Sequence, residues 1–152
     1  MRKFLMPVAG LALLAASNGA FAASANSSFN VKVTIATACT VGAGDIDFGT
    51  ITGSIAANTS VTSTATVSCN KNTAYGLSFV TGAAPANAVG TATANMANGA
   101  NPTIPVNLSM SAASQTATGG SDTTTITGKI VAAVSNPVVG SYTVAQSIFV
   151  LY

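Results

Sequence analysis

The sequence predicts an all-β fold, a small antiparallel sandwich with immunoglobulin-like topology. Three observations carry that reading. Apolar and polar residues alternate at every second position through most of the chain, in runs rich in Val, Ile, Thr and aromatics; this is the pattern of half-buried strands. Clusters of Gly, Asn, Asp and Pro separate these runs at short intervals, as turns between strands require. Only the first stretch of the chain reads as a helix, and several short strands in one exported domain of this length favour a sandwich.

The first element is an export signal. Met1-Arg2-Lys3 supplies a short positive region and FLMPVAGLALLAA an apolar one, and Ala20-Phe21-Ala22 has the small-x-small form of a cleavage site. Residues 1–22 are therefore expected to be a signal peptide, cut between Ala22 and Ala23. The apolar part is too short to span a bilayer comfortably, which argues against a membrane anchor.

The strands follow in order. FNVKVTI places Phe29, Val31, Val33 and Ile35 on one face, with Asn30, Lys32 and Thr34 on the other. Residues 36–41 are expected to join the first strand of the domain, so that Cys39 can reach Cys69. SVTSTATVSC puts Val61, Ala65, Val67 and Cys69 on one face, and AYGLSFV does the same with Tyr75, Leu77 and Phe79. The stretch 82–101 is rich in Ala, Gly and Asn and reads equally as a long loop or a flat edge strand. TIPVNLSM and TTITGKIVAAV supply two further strands. The last expected strand is YTVAQSIFVLY, with Tyr142, Val144, Ile148, Val150 and Tyr152 on one face, interrupted by Gln146, and Phe149 and Leu151 on the other.

Composition excludes several function classes. Beyond residue 22, Lys32, Lys71 and Lys129 balance Asp45, Asp47 and Asp122, and charged residues form only 5% of the sequence. No basic patch is available for nucleic acid or an anionic membrane. With no His and no Glu, the general acid–base repertoire shrinks to three Asp, three Lys and the tyrosines. No Ser or Thr has a histidine base, so the chain is expected not to be an enzyme and to need no cofactor or metal. Asp45 and Asp47 share one face if their segment is extended. A carboxylate pair or cation site is one reading of them, and a turn residue followed by a solvated one is the other. Cys39 and Cys69 form an even pair in an oxidising compartment, which favours a disulfide. A metal pair or a catalytic thiol would need ligands or a base that the sequence lacks. Closing the Cys39–Cys69 loop stabilises the fold by roughly 3–4 kcal/mol in the chain-entropy model.

The two ends of the exported chain are unusual in a related way. The final run is apolar on both faces, as in a strand with neighbours on both edges, yet no later run in the sequence offers to pair with it. The alternating stretch FNVKVTI lies close behind the cleavage site, on an arm that spans residues 23–36. One arrangement accounts for both. The domain, residues 37–152, is an incomplete sandwich lacking its last strand, and the arm of another copy fills the gap by strand addition. Phe29, Val31, Val33 and Ile35 then act as donor residues beside Tyr142, Val144, Ile148, Val150 and Tyr152. The competing arrangement is an arm that folds back as an ordinary first strand.

The succession FNVKVTIATACTV, DIDFG, VTSTATVSC, ITGKI and GSYTVAQSIFVLY resembles the spore coat protein U domain family, which includes the Csu-type pilins of archaic chaperone–usher pili. The marks are Cys39-Thr40-Val41, Asp47-Phe48-Gly49, Cys69, Gly128 and Gly140-Ser141-Tyr142 before a terminal aromatic. The chain departs from the family in having Val144-Ala145 in place of an Asp-Thr pair, and in having no Trp. The resemblance implies a pilin with a disulfide between Cys39 and Cys69. It implies a periplasmic chaperone that holds the last strand, an outer-membrane usher that exchanges it for the next subunit, and export to the cell surface for attachment and biofilm formation. A self-contained secreted coat protein and a tip adhesin or binding module are the alternatives.

Overall fold

The structure, a computed structural model, describes residues 25–80 and 85–152. The expected signal peptide and its cleavage site at Ala22 and Ala23 lie outside the described residues. The chain divides after Thr34 into two units. The stretch from residue 25 to residue 38 has no regular secondary structure.

The domain is all-β among the described residues, with eight strands: β1 (Cys39–Ala43), β2 (Ser60–Cys69), β3 (Ala74–Val80), β4 (Thr91–Met96), β5 (Ile104–Met110), β6 (Ser114–Thr116), β7 (Ser121–Ile130) and β8 (Ser147–Leu151). They form a five-stranded sheet in the order β1-β2-β7-β5-β4 and a three-stranded sheet in the order β6-β3-β8. All pairs are antiparallel.

Alternation explains the larger sheet. In β2, Ala65, Val67 and Cys69 are buried while Thr64, Thr66 and Ser68 are exposed. In β7, Thr124, Ile126, Gly128 and Ile130 are buried while their neighbours face outward. Period-two patterning turns every second side chain to the same face, so these strands bury a continuous surface. The register Val67↔Asp122 and Ala65↔Thr124 aligns them. Pro105 lies near the start of β5, where the pairing with β7 has not yet begun; there a missing N–H costs no ladder bond. The ambiguous stretch 82–101 provides β4, the outer strand beside β5.

The smaller sheet departs from simple alternation. Tyr75, Gly76, Leu77, Ser78 and Phe79 of β3 are all buried. Backbone bonds from Leu77 N to Ala113 O (2.6 Å) and from Phe79 N to Val89 O (3.1 Å) extend the edge that β6 begins. Ser78 Oγ accepts from Val89 N at 3.2 Å, which satisfies a buried hydroxyl. Between the sheets, Phe79 packs with Ala65, Ala94, Val106, Leu108 and Ile126, and Leu77 and Tyr75 pack with Val67, Cys69 and Ala117.

The sandwich has two distinct ends. Cys39 is bonded to Cys69, the bond expected for an exported pair. Beside it Ala38 N donates to Asn70 Oδ1 (2.7 Å) and Asn72 N to Ala117 O (2.9 Å). At the other end Asn58 N donates to Ile130 O (2.8 Å), and Ile55 bridges Val134. Strand β1 runs from the disulfide end to the far end. Strand β8 runs the opposite way, since Ser147 lies opposite Val80 and Leu151 opposite Gly76.

Candidate assembly edge

Strand β8 pairs with β3 along one edge, and among the described residues no strand pairs with its other edge. Strand β1 is likewise outermost in the larger sheet. The two lie against each other on the same flank of the sandwich. This flank therefore carries two rows of backbone N–H and C=O groups without ladder partners, the template on which strands add.

The side chains of this flank are apolar and only half covered. Ile148, Phe149, Val150 and Leu151 are all of intermediate burial. Val150, Val41 and Cys39 pack against the cluster of Val67, Tyr75 and Leu77. Ile148 packs against that cluster and against the one around Phe79 and Ile126. From the β1 side, Ile46 and Phe48 reach the same Phe79 cluster.

Gly128 makes room for them. A Cβ there would stand 2.6 Å from Ile46 Cγ2 and 3.4 Å from Phe48 Cζ, so only a residue without a side chain lets both lie flat on β7. Asp47 Oδ1 accepts from Gly49 N at 2.7 Å and closes a turn in which Gly49 takes a φ of 66°, a value glycine adopts without a Cβ penalty. Ile46 and Phe48 point inward, and Asp45 and Asp47 alternate with them and are exposed.

The expected last strand is shorter in the structure than in the sequence reading. It spans Ser147–Leu151, so Tyr142, Val144 and Tyr152 are not strand residues. The reason is a crossing. Thr143 bridges Ala97, just past the end of β4 in the other sheet, with mutual backbone bonds of 2.9 and 3.0 Å. Residues 142–146 thus lead into β8 without belonging to it. Tyr142 packs with Ile55, Ile104 and Ile130 at the far end of the core, and Val144 and Tyr152 are exposed. Of the five residues expected on that strand face, Ile148 and Val150 share the open flank. The residues expected to act as donors are strongly exposed: Phe29 85%, Val31 87%, Val33 84% and Ile35 77%. These side chains have given up almost none of their contact with solvent, an unusual state for four apolar residues in a row of alternate positions.

Sequence reasoning missed the part played by Ile46, Phe48 and Gly128 in this flank. The signal was present as apolar residues alternating with the two aspartates in DIDFG. It falls outside any regular strand, where alternation is a weak guide.

The rest of the surface formed by the described residues offers little chemistry. A shallow depression of about 560 Å³ on the outer face of the larger sheet is lined mainly by Thr91, Thr93, Asn107, Ser109, Thr127 and Lys129; it contains no nucleophile–base pair. Among the described residues no group of three or more His, Cys, Asp or Glu side chains converges as a metal site. The Tyr75 hydroxyl is buried without a hydrogen-bond partner. Burial, and secondarily the negative charge of Asp122, raises its pKa above the usual phenol value.

The family model for the Spore Coat Protein U domain matches residues 25–147, from the exposed arm to the first residue of β8. The chain belongs to the Spore Coat Protein U domain family. The family is associated with pilus- and coat-type surface proteins, and it suggests pilin-type assembly with other subunits. Comparisons with curated proteins and with solved structures give no match.

Proposed function

We propose that this Spore Coat Protein U domain protein is a structural subunit of a surface pilus, built by donor-strand exchange along the chaperone–usher route and serving attachment and biofilm formation. The observation that carries the reading is one pairing of features. An exposed arm presents Phe29, Val31, Val33 and Ile35 at alternate positions, and β8 presents an unpaired edge with half-covered apolar side chains. Each is the complement of the other.

In this reading the arm of one copy adds to β8 of the next. Backbone hydrogen bonds give affinity and alternate side chains enter the core. Four large apolar side chains at ~1.5–3 kcal/mol each give a gross gain of roughly 6–12 kcal/mol. The arm leaves its own domain at Cys39, at the disulfide end. In a linear head-to-tail fibre it enters its neighbour at the opposite end, so it runs antiparallel to β8 and parallel to β1. Such a heterologous contact propagates instead of closing. Before assembly a periplasmic chaperone covers the flank, and an outer-membrane usher replaces it with the next arm. The role is structural, without catalysis or cofactor.

Gel electrophoresis of surface fractions with and without boiling tests the proposal. A donor-strand polymer gives a ladder of detergent-resistant multimers that collapses to one monomer band on heating, and deletion of residues 23–35 abolishes the ladder. A single monomer band before heating favours the self-contained coat protein. A ladder that persists without the arm removes the donor-strand reading.

A further inference from the structure

The apolar faces of arm and groove fix the register of the donor strand only in part. A slip by one residue would turn Phe29, Val31, Val33 and Ile35 outward, and burial forbids it. A slip by two residues keeps the same face inward, and it places Val31 where Val33 had been with no change of shape. Against that slip the apolar pattern offers only the difference between the end residues, Phe29 and Ile35.

Charge can supply the missing discrimination, because this chain has so little of it. Lys32 is the only charged residue between positions 25 and 38, and it lies on the outward face of the arm. At the disulfide end, Asp122 is engaged by Thr118 N (3.1 Å) and Thr118 Oγ (2.7 Å). Lys71 covers Gly119 at that end. Lys129 stands on the outer face of β7, opposite Ser60. Asp45 and Asp47 remain. They follow the end of β1, exposed, while Ile46 and Phe48 between them pack against the cluster that Ile148 of β8 also meets.

A donor running parallel to β1 brings its C-terminal half alongside this segment, with its polar face on the same outward surface. Lys32 precedes Ile35 by three positions, and Ile35 must lie near the end through which the arm enters. Asp47 already accepts from Gly49 N, whereas Asp45 forms no side-chain hydrogen bond among the described residues.

We propose that Lys32 of one copy pairs with Asp45 on the rim of the next copy's groove, and that this pair selects the seating register of the arm. Asp47 adds to the negative potential beside it. The inference rests on the donor-strand reading. A two-residue slip moves Lys32 by about 7 Å: in one direction it leaves both charges without a partner, and in the other it carries Lys32 from Asp45 to Asp47, whose carboxylate is already engaged by Gly49 N. Rim pairs of this kind act through orientation and register more than through affinity.

The test uses full-length chains exported and assembled in the native cell, with fibres sheared from the surface. The readout is the half-life of the unheated multimer ladder in urea at about 0.02 M and about 0.5 M salt, a range over which surface pairs become screened. Lys32→Asp and Asp45→Lys each shorten the half-life roughly 3–10-fold at low salt. The double variant K32D/D45K restores it to within about 2-fold. At high salt the wild-type ladder moves toward the single variants. Single variants that match wild type at low salt, or a double variant no better than the singles, overturn the pairing while the ladder itself still stands. Loss of the donor-strand reading shows separately, as a ladder that survives removal of residues 23–35.

Discussion

Strands β7 and β8 both contribute isoleucines to the core, Ile126 and Ile130 from one and Ile148 from the other, but their surroundings differ. β7 is hydrogen-bonded on both edges, to β2 and β5, and its buried and outward residues alternate. Among the described residues β8 is bonded to β3 alone, and four consecutive residues are half-buried without alternation. Alternation marks a strand with one face in the core and one in water. Its loss in β8, together with an edge unpaired among the described residues, is the gap that the proposed donor strand would fill.

Four measurements test this contrast. The largest effect is expected at the closed strand. Ile130 is 1% exposed and packs with Ile55 and Ile104, so Ile130→Ala should cost roughly 4 kcal/mol in urea unfolding. The equivalent change on the open strand, Ile148→Ala, should cost the monomer less, about 1–2 kcal/mol, because that side chain is only partly covered. In assembled fibres Ile148→Ala should lower resistance to urea much more than in the monomer. Equal costs at the two positions in the monomer would erase the distinction.

Next is the covalent tie of the open flank. Cys39→Ala with Cys69→Ala should cost roughly 3–4 kcal/mol, read as a lower denaturation midpoint. Reducing agent should match it in wild type and leave the variant unchanged. A smaller effect is expected at the groove floor. Gly128→Ala forces Ile46 and Phe48 off β7, and overpacking of this kind costs about 1–3 kcal/mol; it should also weaken the multimer ladder. An assembly defect without a change in monomer unfolding would place Gly128 in the assembly step alone.

The smallest effect concerns Tyr75. Its pKa is raised in the folded state by burial and by Asp122. The folded state therefore holds the phenol proton more tightly than the unfolded chain, whose value is about 10. The stability associated with the neutral phenol is fully present below pH ~10 and falls as pH rises through the folded pKa. Tyr75→Phe should change stability by less than about 1 kcal/mol at pH 7, since the buried hydroxyl has no partner to lose. It should flatten the loss of stability above pH ~10.

Much of the fold was legible in the sequence because β2, β3, β5 and β7 keep their alternation or apolar density over seven to ten residues. The stretch Tyr142–Gln146 misled because its apolar spacing matches a strand. At Thr143 its backbone bonds instead with Ala97, just beyond β4, a long-range competition that no local pattern records. Strand β6 has only three residues, Ser114–Thr116, too few for periodicity to register. Ile46 and Phe48 are held by a turn and by the absence of a side chain at Gly128, far away in sequence. Exposure of the arm is a property of the surroundings, and alternation in FNVKVTI fits a donor strand and an ordinary first strand equally well.

The bond between Cys39 and Cys69 has a mechanical consequence. Cys39 is the first residue of β1 and the first strand residue that follows the arm. Tension on the arm would arrive at an edge strand, and edge strands unzip one rung at a time when pulled from an end. The disulfide hands the load directly to the last residue of β2. That strand is laddered to β7 from Ser60 to Ser68, so the pull must shear many rungs together instead of peeling them singly.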